Sequence, residues 1–392
     1  MHSIRKALLF TVVVALFGIG LPAALAGATT PRVVTITACG QVVTTNAVLR
    51  TDLTCSGDAI TIGAANVTVR LGGHTISSSD GTGSGIRLDA PGDCSNVVIR
   101  DGTIAGFSNG IAALTCTGTG DRVGSLDLQD NLWGVFTQTA LALTVNRSTI
   151  EGPNGIGPSG PFTGQVSVTD SSIKVTDPDG VSFATAQSGS NLIDGSRLEG
   201  GKVLPTSNGF LTISNSRLNG VTILCGDSAL SVNDSHLFGG GVGNGVACGE
   251  TFEHDRFTGW GSGTAIAISA DFESSITDSS FSGWDAAVQV EQGGDQLSIT
   301  GNTFQGNGTG VSSCPADCTG SGGTISDNGF LDNTGTGLTL NVGTWHVGSN
   351  IALRNGGLGI DAEGTGLTVF DDGGNVAAHN QPPQCVGVVC SP

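Results

Sequence analysis

A short polar and apolar unit recurs along the chain: a polar residue, a variable residue, an apolar anchor, a variable residue and often a glycine. Consecutive anchors are 19 to 26 residues apart, and they are Ile150, Ile173, Leu198, Leu218, Leu237, Phe257, Phe281, Phe304 and Phe330. Fainter anchors precede and follow them at Ile76, Ile104, Leu132, Leu353 and Val376. A repeat of this length predicts a solenoid, in which each unit covers its neighbour.

Leucine-rich repeats and β-helices share this period, and helical segments distinguish them. Between the anchors lie short strand-like segments, such as 211–213 and 221–223, separated by Gly and Asn. No stretch has helical periodicity with helix-forming residues. We therefore predict an all-β fold, a single-stranded right-handed parallel β-helix of about 13 turns, because parallel crossover connections are right-handed.

Side chains in a strand alternate between two faces, so the anchor and the polar residue two positions before it share one face. The residue between them points outward. Stacking of successive turns predicts an inner aromatic column of Phe257, Phe281, Phe304 and Phe330, and a polar ladder containing Asn302 and Asn328. It also predicts an outward line of Arg197, Arg217, His236 and Arg256, which we call the basic stripe.

The basic stripe is unusual because only 13 Arg and Lys residues lie beyond residue 26. Two interpretations remain open. The stripe is either a ladder of surface ion pairs, each contributing about 0–1 kcal/mol, or a groove whose arginines pair with the carboxylates of an acidic polysaccharide. If a reaction occurs here, His236 or an arginine is the expected base. Carboxylates are expected to flank the stripe at Asp194, Glu199, Asp234, Glu253 and Asp255.

Two tryptophans occupy the same position in consecutive repeat units. Trp260 and Trp284 each lie three residues after a Phe anchor and directly after a glycine. We predict that they stack on adjacent turns, where exposed rings would form a platform for a sugar. The alternative is inward packing, which Phe107 in the same phase favours.

The first 26 residues have the pattern of a signal peptide. Arg5 and Lys6 precede an apolar stretch at 7–20, and 24–26 is a small-residue cleavage site. The stretch is too short to cross a bilayer, which takes about 20 apolar residues. We predict a signal peptide over 1–26, a β-helix domain over 27–392, and secretion.

Ten cysteines remain beyond residue 26, an even number that suits an oxidising compartment. Neighbours in sequence lie on the same or adjacent turns of a β-helix. We predict the sequential pairs Cys39–Cys55, Cys94–Cys116, Cys225–Cys248, Cys314–Cys318 and Cys385–Cys390. The first and last pairs would close the two ends of the solenoid.

Charge narrows the range of partners. Beyond residue 26 there are 13 basic and 33 acidic side chains, so the net charge is 13 − 33 = −20. Such a charge opposes nucleic acid and anionic membranes. No phosphate-binding loop, dinucleotide fingerprint or zinc spacing occurs, so no cofactor is identified; calcium is compatible with the acidic composition. We expect a monomer with an extracellular glycan as partner and no membrane contact after cleavage.

The start of the chain, at 39–40, 52–55 and 67–76, resembles the opening of secreted bacterial right-handed β-helix proteins of the pectin-lyase-like superfamily. The end, at 374–380 and 384–390, resembles their close. The resemblance covers essentially the whole chain after the signal peptide. It implies the β-helix fold, but the superfamily contains lyases, hydrolases, epimerases, esterases and non-catalytic members, so the fold alone selects no activity.

The residues restrict the chemistry. The chain has no Tyr, and Asp177-Pro178-Asp179-Gly180 lacks the His of an epimerase motif, which favours a turn. Asp371-Asp372 is an acidic pair that we also interpret as a turn, and His74 as a structural residue. Three hypotheses remain: a protein that binds extracellular polysaccharide, with catalysis undetermined; a polysaccharide lyase or glycoside hydrolase acting on the lateral face; and a non-catalytic stalk at the cell surface or wall.

Overall fold

Alternating apolar residues direct one face of every short strand into a common interior. A computed structural model describes residues 33–158, 164–185, 189–205, 208–226, 228–244, 249–270, 273–293, 296–313 and 322–392. These residues form a right-handed parallel β-solenoid of about 14 coils without a helix, which confirms the predicted fold class. The predicted signal peptide lies outside the described residues.

Each coil contributes strands to three parallel sheets, A, B and C, which follow one another along the chain. Sheet A precedes a sharp bend and contains Val34–Ile36, Ala47–Leu49, Thr68–Arg70, Leu141–Asn146, Gln165–Thr169, Ser190–Asp194, Phe210–Ser214, Ala229–Asn233, Gly249–Glu253, Ser274–Thr277, Leu297–Thr300, Gly322–Ser326, Gly343–Gly348 and Leu367–Gly373. Two longer strands, Val98–Ala105 and Gly118–Gln129, run through the bend from sheet A into sheet B.

Sheet B follows the bend and carries the predicted anchors. Its strands are Leu53–Cys55, Thr75–Ser78, Thr149–Gly152, Ser172–Val175, Arg197–Glu199, Arg256–Thr258, Ser280–Ser282, Thr303–Gln305, Gly329–Leu331, Ile351–Leu353, Asn375–Ala378 and Cys390–Ser391. Two strands, Arg217–Cys225 and His236–Asn244, continue from sheet B into sheet C.

Sheet C completes each coil. Its strands are Gln41–Val43, Ile60–Ile62, Ser84–Leu88, Asn109–Ala113, Trp133–Thr137, Asn154–Pro158, Val181–Ala184, Lys202–Leu204, Thr264–Ala270, Ala286–Gly293, Thr309–Ser313, Leu338–Thr339, Ile360–Asp361 and Cys385–Val386. All pairings between coils are parallel, so equivalent residues of successive coils stack in columns.

The inner face of sheet B contains the predicted aromatic column. The rings of Phe257 and Phe281 are stacked with centroids 4.6 Å apart, those of Phe281 and Phe304 are 5.0 Å apart, and those of Phe304 and Phe330 are 5.2 Å apart. All four side chains are buried. The column therefore joins the hydrophobic contacts of four coils into one interior.

A buried polar ladder runs along the bend between sheets A and B. In each step, a side-chain oxygen accepts a hydrogen bond from the backbone N–H of the equivalent residue in the preceding coil, as Asn328 does from Asn302 at 2.9 Å. Its members are Ser148, Ser171, Ser196, Ser216, Ser235, Asp255, Ser279, Asn302, Asn328, Asn350 and Asn375. The ladder satisfies backbone donors that the bend removes from the sheets, and it confirms the predicted stacking of Asn302 on Asn328.

Disulfides close the solenoid near both termini. Cys39–Cys55, Cys94–Cys116 and Cys385–Cys390 are bonded as predicted. Cys225 is disulfide-bonded, but Cys248, Cys314 and Cys318 lie outside the described residues, so the two remaining pairings stay predictions. Val33–Pro392 forms one compact unit. No helix long and apolar enough to cross a membrane occurs in the described part of the chain.

Candidate functional site

The basic stripe forms the floor of a groove on the outer face of sheet B. Arg197 pairs in register with Arg217, Arg217 with His236, and His236 with Arg256, which confirms the predicted outward line. The groove has a volume of about 810 Å³. Each stripe residue lies between a residue of the polar ladder and an anchor, and both of these face inward because strand side chains alternate. This alternation gathers four cationic or titratable groups on one surface.

One wall of the groove is the bend that precedes sheet B. The residues of this bend that line the groove include Asp170, in the coil before the stripe, and Asn215, Asp234 and His254 in the stripe coils, all with positive φ between 48° and 56°. Asp and Asn tolerate this left-handed conformation better than most residues. The bend therefore sets a line of polar side chains beside the stripe.

The arginines of the stripe differ in their partners. Arg197 is paired with Glu199, whereas none of the ion pairs within the described ranges includes Arg217 or Arg256. Arg354 illustrates the alternative, since it makes a two-pronged pair with Asp332. A ladder of internal ion pairs thus does not account for Arg217 and Arg256, and these two guanidinium groups are available to an anionic ligand.

His236 lies between these two arginines. Partial burial, together with the positive charges of Arg256 and Arg217, lowers the pKa of His236 below its ordinary value of 6.5. The imidazole is therefore neutral at pH 7. Its Nε2 lies 3.2 Å from the Thr258 hydroxyl oxygen, and a neutral ring in this position is able to accept a proton.

Asp255 does not flank the stripe at the surface, contrary to the sequence-based expectation. Its side chain is buried in the polar ladder, where Oδ1 accepts a hydrogen bond of 2.7 Å from the Ser235 N–H. It occupies the ladder position two residues before the Phe257 anchor, and alternation turns that position inward. Burial raises the pKa of Asp255 to about 7, so this buried carboxyl group is only about half ionised at neutral pH.

An aromatic corner borders the stripe. The ring of Phe238 lies 6.2 Å from His236 and 6.0 Å from Trp260, edge-on in both cases. Trp260 is 64% exposed and lies over Gly239, where an added Cβ would come within 2.4 Å of the indole. The corner presents an accessible aromatic surface beside Arg217 and His236.

The predicted stack of Trp260 on Trp284 is wrong. Trp284 is only 3% exposed and packs against Gly259, so it offers no face to a ligand. Phe257 pairs with Phe281 and Thr264 with Ala286, which makes the earlier bend two residues longer (264 − 257 = 7 against 286 − 281 = 5). The longer bend releases Trp260 outward, whereas the shorter one holds Trp284 inward like Phe107.

Substitution of the two tryptophans should separate their roles. We expect Trp284→Ala to lower the free energy of unfolding by about 3–5 kcal/mol, as for other large-to-small changes in a core. Trp260→Ala should change it by less than about 1 kcal/mol, because exposed positions contribute little. Urea unfolding of both variants tests this. Equal losses of stability in the two variants would contradict the assignment.

Sequence reasoning missed His254 as a groove residue, and it missed Phe238 and Thr258 as neighbours of His236. Phe238 and Thr258 are each two positions after a stripe residue, and period-two alternation alone would have placed them on the same outer face. His254 lies in the bend, with Nδ1 3.9 Å from Asp234 and Nε2 3.8 Å from Asp278. Its position depends on the left-handed bend, for which the sequence pattern carries only a weak signal.

The other sequence motifs have structural roles. The Asp177 carbonyl accepts a bond from the Gly180 N–H at 2.9 Å, which confirms a turn. His74 Nδ1 lies 3.2 Å from Asp52. Asp371 accepts bonds from the backbone N–H groups of Gly373 and Val389 in a terminal strand and not in a turn. No cluster of three metal-ligating side chains occurs among the residues described above.

Comparisons with known proteins add little to this geometry. No protein-family model matches the chain, and no curated protein matches it. Among solved structures, the chain is similar to DFA-IIIase from Arthrobacter chlorophenolicus A6 without its lid, with 15% identity, coverage of 73% of this chain and 83% of that one, and a TM-score of 0.35. It is also similar to the catalytic domain of a GH87 alpha-1,3-glucanase in complex with tetrasaccharides, with 12% identity, coverage of 86% and 64%, and a TM-score of 0.36. Likenesses this weak identify neither a substrate nor a reaction.

Proposed function

We propose that this chain is a secreted protein that binds an acidic polysaccharide along the basic stripe. The observation that carries the proposal is the pair of arginines, Arg217 and Arg256, which lie in one groove without a carboxylate partner among the described residues. Guanidinium groups bind carboxylates through two parallel hydrogen bonds. Coils repeat about every 4.8 Å, so the stripe offers a regular series of such contacts to an extended polymer.

The aromatic corner supports a sugar as the ligand. Phe238 and Trp260 give a rigid apolar surface next to the cationic line, and a sugar ring has an apolar face that such a surface accommodates. The overall charge of −18 opposes an anionic polymer at long range. Binding should therefore depend on these local contacts, and it should weaken as salt screens them.

The double variant Arg217→Glu/Arg256→Glu tests the proposal. With polygalacturonate as the probe, we expect affinity to fall at least about 100-fold, because each lost charge-assisted contact contributes about 1.5–3 kcal/mol. Isothermal titration calorimetry measures the affinity, and circular dichroism checks the fold. The matched control is Arg50→Glu/Arg70→Glu, which changes the net charge equally at exposed sites outside the groove. Equal binding by wild type and the groove variant would refute this site.

The order of the stripe residues on successive coils supports a uronate lyase as a second candidate function. A uronate lyase removes the proton next to the carboxylate, and the released electron pair forms the C4=C5 double bond and expels the C4 oxygen, which takes up a proton. Neutral His236 would be the base, and the flanking Arg217 and Arg256 would neutralise the carboxylate. The order Arg, His, Arg on three consecutive coils fits this division of roles.

His236→Gln distinguishes catalysis from binding alone. If the chain is a lyase, the wild type should release unsaturated product that absorbs in the ultraviolet, and the variant should lose this activity while it retains binding. The rate should rise with pH through the lowered pKa of His236 and then level off. Reducing ends without that absorbance would indicate a hydrolase. Absence of binding to any glycan would favour the stalk hypothesis.

A further inference from the structure

A second, more enclosed recess of about 380 Å³ lies on the outer face of sheet A, near the bend. Three arginines line it, Arg100, Arg122 and Arg147, together with one carboxylate, Asp101. Arg100 lies 3.4 Å from Asp101, and Arg147 donates a bond of 2.9 Å to Asn146. Arg122 belongs to none of the ion pairs that the described ranges contain. The lining therefore carries a net charge of 3 − 1 = +2 on a strongly acidic protein.

A missing side chain creates the recess. Gly124 pairs with Arg100 of one neighbouring coil and with Asn146 of the other. Arg122 precedes Gly124 by two residues and shares its outer face by alternation. A Cβ at Gly124 would meet only the Asn146 carbonyl oxygen, at 3.7 Å. The glycine thus leaves an open floor with arginines from three consecutive coils around it.

Arg147 has a left-handed backbone conformation, which is uncommon for an arginine. Its φ is 46°, at a bend position that other coils fill with Asp, Asn, Ser, His or Gly. Left-handed backbone at such a residue costs about 1–3 kcal/mol and is commonly associated with functional sites. Arg147 lines both the recess and the stripe groove. Its position connects the two cationic surfaces around the bend.

We propose that the recess binds a tetrahedral oxyanion, the chemistry of sulfate and phosphate groups. Such a group presents several oxygens in different directions, and arginines that approach from three coils suit it better than a planar carboxylate, which one guanidinium fork already satisfies. The hydroxyl groups of Ser125 and Thr144 complete a polar lining. If the oxyanion is an ester on the polysaccharide, Arg147 lets one chain contact both surfaces; this extension rests on the proposed function, whereas the oxyanion site does not.

Titration with inorganic sulfate, followed by calorimetry and by the chemical shifts of the arginine side chains, tests the site. We expect saturable binding that weakens at least tenfold in Arg122→Gln and in Gly124→Leu, which fills the recess and leaves every charge in place. Arg50→Gln is the charge-matched control for Arg122→Gln and should bind as the wild type does. If both recess variants bind sulfate as tightly as the wild type does, the proposal is wrong. Absence of sulfate binding to the wild type would also overturn it.

The groove variant Arg217→Glu/Arg256→Glu separates this site from the proposed function. It should still bind inorganic sulfate even if it no longer binds polygalacturonate. A sulfated oligosaccharide that binds at least tenfold more tightly than inorganic sulfate, with Arg147→Gln removing that advantage, would identify a glycan ester as the source of the oxyanion. Equal affinities would identify the free ion. Sulfate binding that disappears in the groove variant and persists in Arg122→Gln would refute the recess as the site.

Discussion

Replacing Glu250 by glutamine should make this protein markedly more stable at pH 8 and leave its stability at pH 4 almost unchanged. Glu250 faces the interior of the solenoid and is 1% exposed. Neither of its carboxyl oxygens has a hydrogen-bond partner in the described part of the chain. Burial disfavours the charged form and raises the pKa of Glu250 from 4.5 to about 8.

The direction of the pH effect follows from proton counting. Between pH 4.5 and about 8 the folded chain holds a proton on Glu250 that the unfolded chain has released. Unfolding releases that proton, so the free energy of unfolding falls as pH rises through this window, by about 1.4 kcal/mol per pH unit and up to about 5 kcal/mol in all. Glutamine has the same shape and does not ionise, so the fall should disappear.

Urea unfolding of wild type and Glu250→Gln at pH 4, 6 and 8 measures the effect. Glu253→Gln is the matched control, because Glu253 lies on the same strand and is exposed. A smaller slope should persist in Glu250→Gln, since burial also raises the pKa of Asp255 to about 7 and of Asp121 to about 6. If wild type and Glu250→Gln lose stability equally between pH 4 and pH 8, Glu250 is not a buried acid.

Truncation of Asn328 to alanine should be the most damaging single change in the polar ladder. Its Oδ1 accepts a bond from the Asn302 N–H at 2.9 Å, and its Nδ2 donates to the carbonyl oxygens of Ile299 at 2.8 Å and Ser326 at 2.9 Å. Alanine leaves these buried groups without partners, and each unsatisfied group costs about 1–3 kcal/mol. We expect a loss of about 3–5 kcal/mol, at the upper end for single substitutions.

Asn328→Ser is the informative comparison, because serine occupies the same ladder position in five consecutive earlier coils. A serine hydroxyl there accepts from the preceding coil and donates to the carbonyl two residues before it, as Ser171 does to Thr169 at 2.7 Å. The serine variant should therefore lose distinctly less stability than Asn328→Ala in thermal or urea unfolding. Equal losses would mean that lost volume, and not hydrogen bonding, accounts for the effect.

Much of the fold could be predicted because strand alternation and coil repetition are local. The spacing of the Phe257, Phe281 and Phe304 anchors predicted their stack, and the residue before each anchor predicted the outward line of Arg217 and Arg256. The same reasoning could have found Phe238 on the outside. It could also have placed Glu250 inside, two residues before the inward Phe252, although glutamate side chains are almost never fully buried without a partner.

Other parts of the site depend on contacts between coils of unequal length. The two tryptophans share one sequence phase, yet a bend longer by two residues exposes Trp260 and leaves Trp284 buried. The recess at Gly124 is likewise invisible in any single repeat, because its three arginines come from three coils and from different positions of the repeat. Small differences in bend length change side-chain direction without changing the repeat.

The solenoid, its inward anchors, its polar ladder and the outward direction of the basic stripe could all be predicted from the sequence alone. These features follow from backbone sterics and from burial of apolar surface, which act within a few residues and repeat in every coil. Only the packed coils show which arginines have no carboxylate partner among the described residues, which tryptophan reaches solvent, and that Asp255 and Glu250 are buried away from water. Those properties depend on distances between coils, and such distances are set only when the whole solenoid has packed.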